Sequence, residues 1–277
     1  MTRIQGTETQ STYAAAAHFV EYGLANPLSL FTPEQPVWTS ETLGDLYERD
    51  ETADDSTGGG FWQRLRRRLE GAPAATVQLA AELAYVHVLF ASDLSPTSKR
   101  RVVTDTLRLS ETPPDLPAPL NDALDCGLAG TGVAFKLRRM SQLGLLIMVA
   151  IRWWQLPTAH RQAALADPRE FKTWLWALPH HGAFAQREAL LHLVHPDSFE
   201  PIVSPTIKQR IVHSFSRHVP AGVDDVDEAL AAIRKVLERR SVHGSTIPDL
   251  PSLLGITVSG LNGLTDSRIG CTVENPP

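Results

Sequence analysis

Asp224-Asp-Val-Asp-Glu-Ala-Leu-Ala-Ala-Ile-Arg-Lys-Val-Leu-Glu-Arg-Arg240 states the local rule that governs this chain. Val226, Ala229, Leu230, Ile233 and Leu237 recur at helical spacing, so one face of a helix is apolar. Asp224, Asp225 and Asp227 open the segment, while Arg234, Lys235, Arg239 and Arg240 close it. That is the order a helix dipole favours. The spacing predicts a helix over 224–239 that ends near Arg240.

The same period recurs along the chain, and runs of alternating β-branched residues are nearly absent, so the fold class is all-α. Helices are predicted over 11–24, 40–49, 60–69, 74–90, 96–107, 118–126, 138–154, 158–164, 168–177, 185–192 and 205–218, about twelve in all with the last. Ser95-Pro96, Asp167-Pro168 and Ser204-Pro205 each set an oxygen-bearing cap before a first-turn proline, which fixes three of the starts. The expected architecture is an irregular multi-helix bundle. It divides into a flexible N-terminus (1–10), an N-terminal helical segment (11–49), an acidic glycine-rich linker (50–59), a main helical domain (60–240) and an irregular, poorly ordered tail (241–277). Residues 112–119, with four prolines, read as a stiff spacer.

With 277 residues, 43% hydrophobic and 21% charged, the chain is long enough to bury a large core. A formal net charge of -5 gives no global attraction to phosphate backbones, so nucleic-acid binding would need a local basic patch. Cys126 and Cys271 form no CxxC pair, which argues against a disulfide framework or a cysteine zinc site and suits a cytoplasmic protein. The apolar run 143–151 is too short to span a membrane, and no membrane partner is expected.

Gly127-Leu-Ala-Gly-Thr-Gly132 has phosphate-loop glycine spacing, but Val133 and Ala134 stand where the loop needs lysine and a hydroxyl. The stretch reads as a turn between helices. His180-His181 and His192 with His195 lack the HExxH pattern and any carboxylate at ligand spacing, so neither metal nor cofactor is expected, and His192 reads as a satisfied core histidine. No nucleophile elbow or Cys/His pair is present. Trp153-Trp154, Trp174 and Trp176 read as core and interface anchors.

Basic clusters supply the remaining contact chemistry. Arg64, Arg66, Arg67 and Arg68 share one short helix, followed by Lys99, Arg100 and Arg101 and then Lys136, Arg138 and Arg139. If DNA is bound, Arg64, Arg66, Arg67, Arg68, Lys99, Arg100 and Arg101 are the residues expected to meet phosphates. The plainer reading takes Phe61, Leu65 and Leu69 as a core stripe, leaving the arginines as a solvated face.

Phe61 to Leu69, Val77 to Leu83, Thr97 to Arg101, Gly130 to Phe135 and Leu190 to Glu200, in that order, resemble the helical region that precedes the AAA+ motor in bacterial McrB-type restriction GTPases. The stretch from Leu190 to Phe215 is the most specific, and the resemblance covers 11–240. It implies an accessory or target-recognition module of a DNA restriction or antiphage defence system, with an AAA+ motor or nuclease subunit as partner and DNA as a further one. Lys136 departs from the Asn-like polar residue expected after the Gly130-Thr-Gly132 turn and its aromatic. The motor's own motifs are not found, so the resemblance carries over no catalytic residue and the chain is expected not to be an enzyme. A stand-alone helical interaction scaffold is the alternative.

Overall fold

A computed structural model describes residues 3, 4, 6–53, 58–179 and 182–241. Among them the protein is all-α, with thirteen α-helices and no β-strand. Its centre is α4, Ala74–Leu89, in which every residue from Thr76 to Leu89 is buried. A helix buried on all sides must satisfy its polar groups inside the protein. Tyr85 donates to Leu120 O at 2.9 Å, Gln78 Nε2 donates to Ser29 Oγ at 2.7 Å, and Thr76 Oγ1 donates to Asp45 Oδ2 at 2.7 Å.

Around this helix lie α1 (Gln10–Phe19, continued by the π-helical turn Val20–Ala25), α2 (Ser40–Glu51), α3 (Phe61–Leu69), α5 (Pro96–Leu107) and α6 (Ala118–Asp122). The wall is completed by α7 (Gly132–Leu137), α8 (Arg139–Gln155), α9 (Thr158–Ala166), α10 (Pro168–Ala177) and α11 (Phe184–Val194). Tyr13, Phe19 and Leu43 share one core with Tyr85, Leu146 and Leu190, so packing joins the expected N-terminal segment to the main domain. A second, small core holds Ile202, Ile211, Leu230 and Ile233 between α12 (Pro205–Ser214) and α13 (Val226–Ser241).

The predicted starts at 96, 168 and 205 coincide with observed ones. Ser95, Asp167 and Ser204 each accept a backbone N–H, from Ser98, Arg169 and Ile207 respectively. Elsewhere the chain corrects the reading. Asp50 and Glu51 belong to α2 and not to a linker, because Asp50 is held by the Arg68 guanidinium at 2.8 Å. Within the segment 1–10, read as flexible, Arg3 and Ile4 are held: Arg3 pairs with Asp197 at 2.8 Å, and Ile4 N donates to Tyr13 OH at 2.9 Å. Helix α7 was not anticipated, since six residues are too few to show a period. The expected tail lies outside the described residues apart from Ser241, which closes α13.

Candidate functional site

The glycine-rich stretch shows how the chain shapes the region. Gly127 runs against the backbone of residue 91, where an added Cβ would lie 2.3 Å from Ala91 O. Only glycine permits that approach. Leu128 N then donates to Phe90 O at 2.8 Å, and Ser92 N to Ala129 O at 2.9 Å. Gly132 has φ 78°. Asp93 receives the Thr131 amide at 3.0 Å and the Gly132 amide at 3.2 Å, and Lys136 pairs with it at 2.9 Å. These donors pull the Asp93 carboxyl below the ordinary range, against the opposing effect of burial. A carboxylate of the chain itself thus occupies the loop amides that a phosphate would seek.

Beyond this turn, α7, the start of α8, the start of α11 and residues 201–207 enclose an apolar groove of about 360 Å³. Phe135, Ile202, Val203 and Ile207 supply apolar walls, and among the described residues Arg138 is the one charged residue that lines it. Val133 and Phe184 stand at its rim, 48% and 54% exposed, and Leu137 on the last turn of α7 is 75% exposed. Phe184 stacks on Trp176, with ring centroids 6.0 Å apart. Gln142 lines the groove at 3% exposure, and its Oε1 has no hydrogen-bond partner.

Sequence reasoning missed this groove because its walls come from four separate elements. The only local sign, Val133, Leu137 and Phe184 facing outward, is visible once the helices are packed.

The basic residues divide. Arg66 and Arg67 are exposed, and Arg67 donates to Gly58 O at 2.8 Å. Arg68 is 9% exposed and belongs to the α2–α3 contact, so it is no part of a solvated face. Arg64, Arg68 and Arg138 line one cleft of about 410 Å³, which joins the first cluster to the third. Lys99 is 1% exposed and donates to Cys126 O, out of reach of a phosphate. Burial lowers its ammonium pKa to about 8. Arg100 is engaged by Asn121 at 2.9 Å and Asp125 at 2.7 Å, while Arg101 is exposed beside Asp105 at 3.2 Å. Arg139 lies 5.9 Å over the Phe61 ring.

His192 is fully buried between Tyr13 OH at 3.1 Å and Phe199 O at 2.7 Å, the satisfied core histidine expected. His195 bonds Ala164 O at 3.0 Å, and His180 and His181 lie outside the described residues. Trp153 is buried and donates to Leu24 O at 2.8 Å; Trp154 donates to Gly23 O at 3.1 Å. Both indoles therefore anchor α8 to the end of the first helix. No protein-family model, no curated protein and no solved structure matches the chain.

Proposed function

We propose that this chain is a non-catalytic helical module that acts by docking a partner protein on the α7/α11 groove. The observation that carries this reading is that Val133 and Phe184, two of the three large apolar side chains exposed among the described residues, line this groove, while the third, Leu137, follows Val133 by one turn on α7 and lines the adjoining cleft. An apolar cluster left in water forgoes burial that the rest of the core obtains, and such a patch around a groove fits a contact surface. A DNA track through the basic clusters is the weaker reading, since Arg68 and Lys99 serve internal contacts.

The resemblance to the region preceding the AAA+ motor supports a narrower version, in which the partner is the motor or nuclease subunit of a McrB-like restriction or antiphage defence system. A stand-alone scaffold would use the same groove with a different partner. Photo-crosslinking separates the two. Benzoylphenylalanine placed at position 137 of the full chain should give one discrete adduct in host cells, lost when Val133 and Phe184 are both changed to Asp. Identification of the adduct as an AAA+ or nuclease subunit supports the narrower version. An adduct indifferent to the two aspartates, or none, overturns the docking reading.

A further inference from the structure

The apolar groove adjoins a basic cleft, and one residue belongs to both. Arg138 lines the groove and also the cleft of about 410 Å³ that Arg64, Arg68, Leu137 and Ser141 help to enclose where α2, α3 and α8 meet. Asp50 is the one carboxylate that lines this cleft among the described residues, and Arg68 already holds it at 2.8 Å. The Arg64 and Arg138 guanidinia are left without a counter-charge there.

Other basic side chains that are buried or half-buried are satisfied within the protein. Lys136 has Asp93, Arg100 has Asp125, Lys172 has Asp225 and Arg234 has Glu200. Lys99 and Arg187 use backbone carbonyls. Among the described residues no ion pair and no side-chain hydrogen bond engages Arg64 or Arg138. Arg64 is half-buried, and its Nε is closed off from solvent without an acceptor, so its two terminal nitrogens are the ones a partner can reach. Arg138 is exposed, and no carboxylate lines the groove on its other side. Guanidinia gathered on one cleft repel each other, and an external anion relieves that repulsion.

We propose, building on the docking reading above, that groove and cleft form one surface that binds a short acidic segment of a partner protein, with bulky apolar side chains flanked by carboxylates. The apolar side chains enter the groove past Val133 and Phe184, and the carboxylates meet Arg64 and Arg138 beyond Leu137. Charge complementarity of this kind fixes the register of a segment whose apolar groups alone would slide. It also opposes the chain's own net charge of -5, which repels an acidic partner everywhere else. A nucleic acid would cover the guanidinia and leave the apolar groove unfilled. A bilayer surface is flat, whereas the groove is a concave space of about 360 Å³ that suits inserted side chains.

Phage display on the full chain tests this. Random dodecapeptides are selected on the native protein and depleted on the variant that combines Val133→Asp with Phe184→Asp. The survivors should carry bulky apolar residues and an excess of Asp and Glu over Lys and Arg. A survivor synthesised with a fluorescein label should bind about tenfold more weakly once its carboxylates are changed to amides. Arg64→Glu combined with Arg138→Glu should cost at least about tenfold, while Arg66→Glu, exposed on the same helix but outside the cleft, should cost far less. Lys in place of the peptide's carboxylates should restore binding to the charge-reversed variant, a rescue that misfolding would not give. Should the double change lower the melting temperature, Arg138→Glu alone repeats the test at an exposed position. Survivors without an acidic excess, or survivors indifferent to the two glutamates, overturn the acidic partner and leave apolar docking in place. Failure to select any peptide also overturns it, and the crosslink at position 137 judges the docking reading separately.

Discussion

Trp38 donates its indole N–H to Glu82 Oε2 at 2.6 Å, tying the segment before α2 to the middle of the central helix. Both side chains are buried, and the other carboxylate oxygen accepts from Ser29 Oγ at 2.5 Å and Gln78 Nε2 at 3.2 Å. Burial raises the Glu82 pKa, while the Ser29, Trp38 and Gln78 donors pull it back. Trp38→Phe should therefore cost about 2–3 kcal/mol in chemical denaturation, because it leaves a buried acceptor unpaired. The folded pKa is raised, so Glu82 stabilises most below its unfolded value, and that contribution falls as pH rises through the folded value. The loss in Trp38→Phe should be greater at pH 8 than at pH 5.

Lys208 places one buried ammonium between Glu188 of α11 and Asp227 of α13, joining the small α12–α13 core to the main body. Lys172 adds a second cation, 2.6 Å from Asp227 and 2.6 Å from Asp225. Removing one partner of a buried pair strands the others, so Lys208→Met should destabilise by roughly 3–5 kcal/mol. The combined change of Lys208→Met and Glu188→Leu should cost less than Lys208→Met alone. Paired urea titrations of the two variants measure this.

Gly127→Ala should be strongly destabilising although it adds a single methyl. The new Cβ would lie 2.3 Å from Ala91 O and 2.4 Å from Ala91 C, and backbone atoms cannot swing aside as a long side chain does. The 90–92 and 127–129 contact must open, which should lower the melting temperature by several degrees or more. Gly71→Ala, at φ 66° in open space, should lose only the smaller cost of a left-handed alanine.

His87 and His192 both have pKa values lowered to about 4, chiefly by burial. Unfolded, each returns to about 6.5. Between these values the unfolded chain binds more protons, so stability is present above pH 6.5 and is lost as pH falls through about 4. Glu82, Glu188 and Glu200 are raised by burial and act in the opposite sense. The histidine contribution is therefore read by difference. In denaturation curves from pH 7 to pH 4, His192→Gln should reduce the dependence of stability on pH by about one proton. Imidazole NMR signals of both residues should stay neutral at pH 5.5.

The sequence by itself determined twelve of the thirteen helices and three of their starts, because helical periodicity, capping side-chain oxygens and charge order act within a few residues of chain, whereas the six residues of α7 were too few to show a period. The 224–240 segment needed no neighbours to be read as α13, nor did Ser95, Asp167 and Ser204 to be read as caps. His192 was legible as a core residue from its apolar face, though its partners, Tyr13 and Phe199, were not. Only the tertiary structure decided which charges face water. Arg68 and Arg66 look alike in sequence, yet Asp50, brought in by α2, turns one inward while the other stays exposed. Lys99 likewise turns to Cys126, 27 residues away. The groove is the extreme case, since Val133, Gln142, Phe184 and Ile202 meet through four elements. Their exposure and unmet hydrogen-bonding capacity are properties of packed surfaces, which no local pattern encodes.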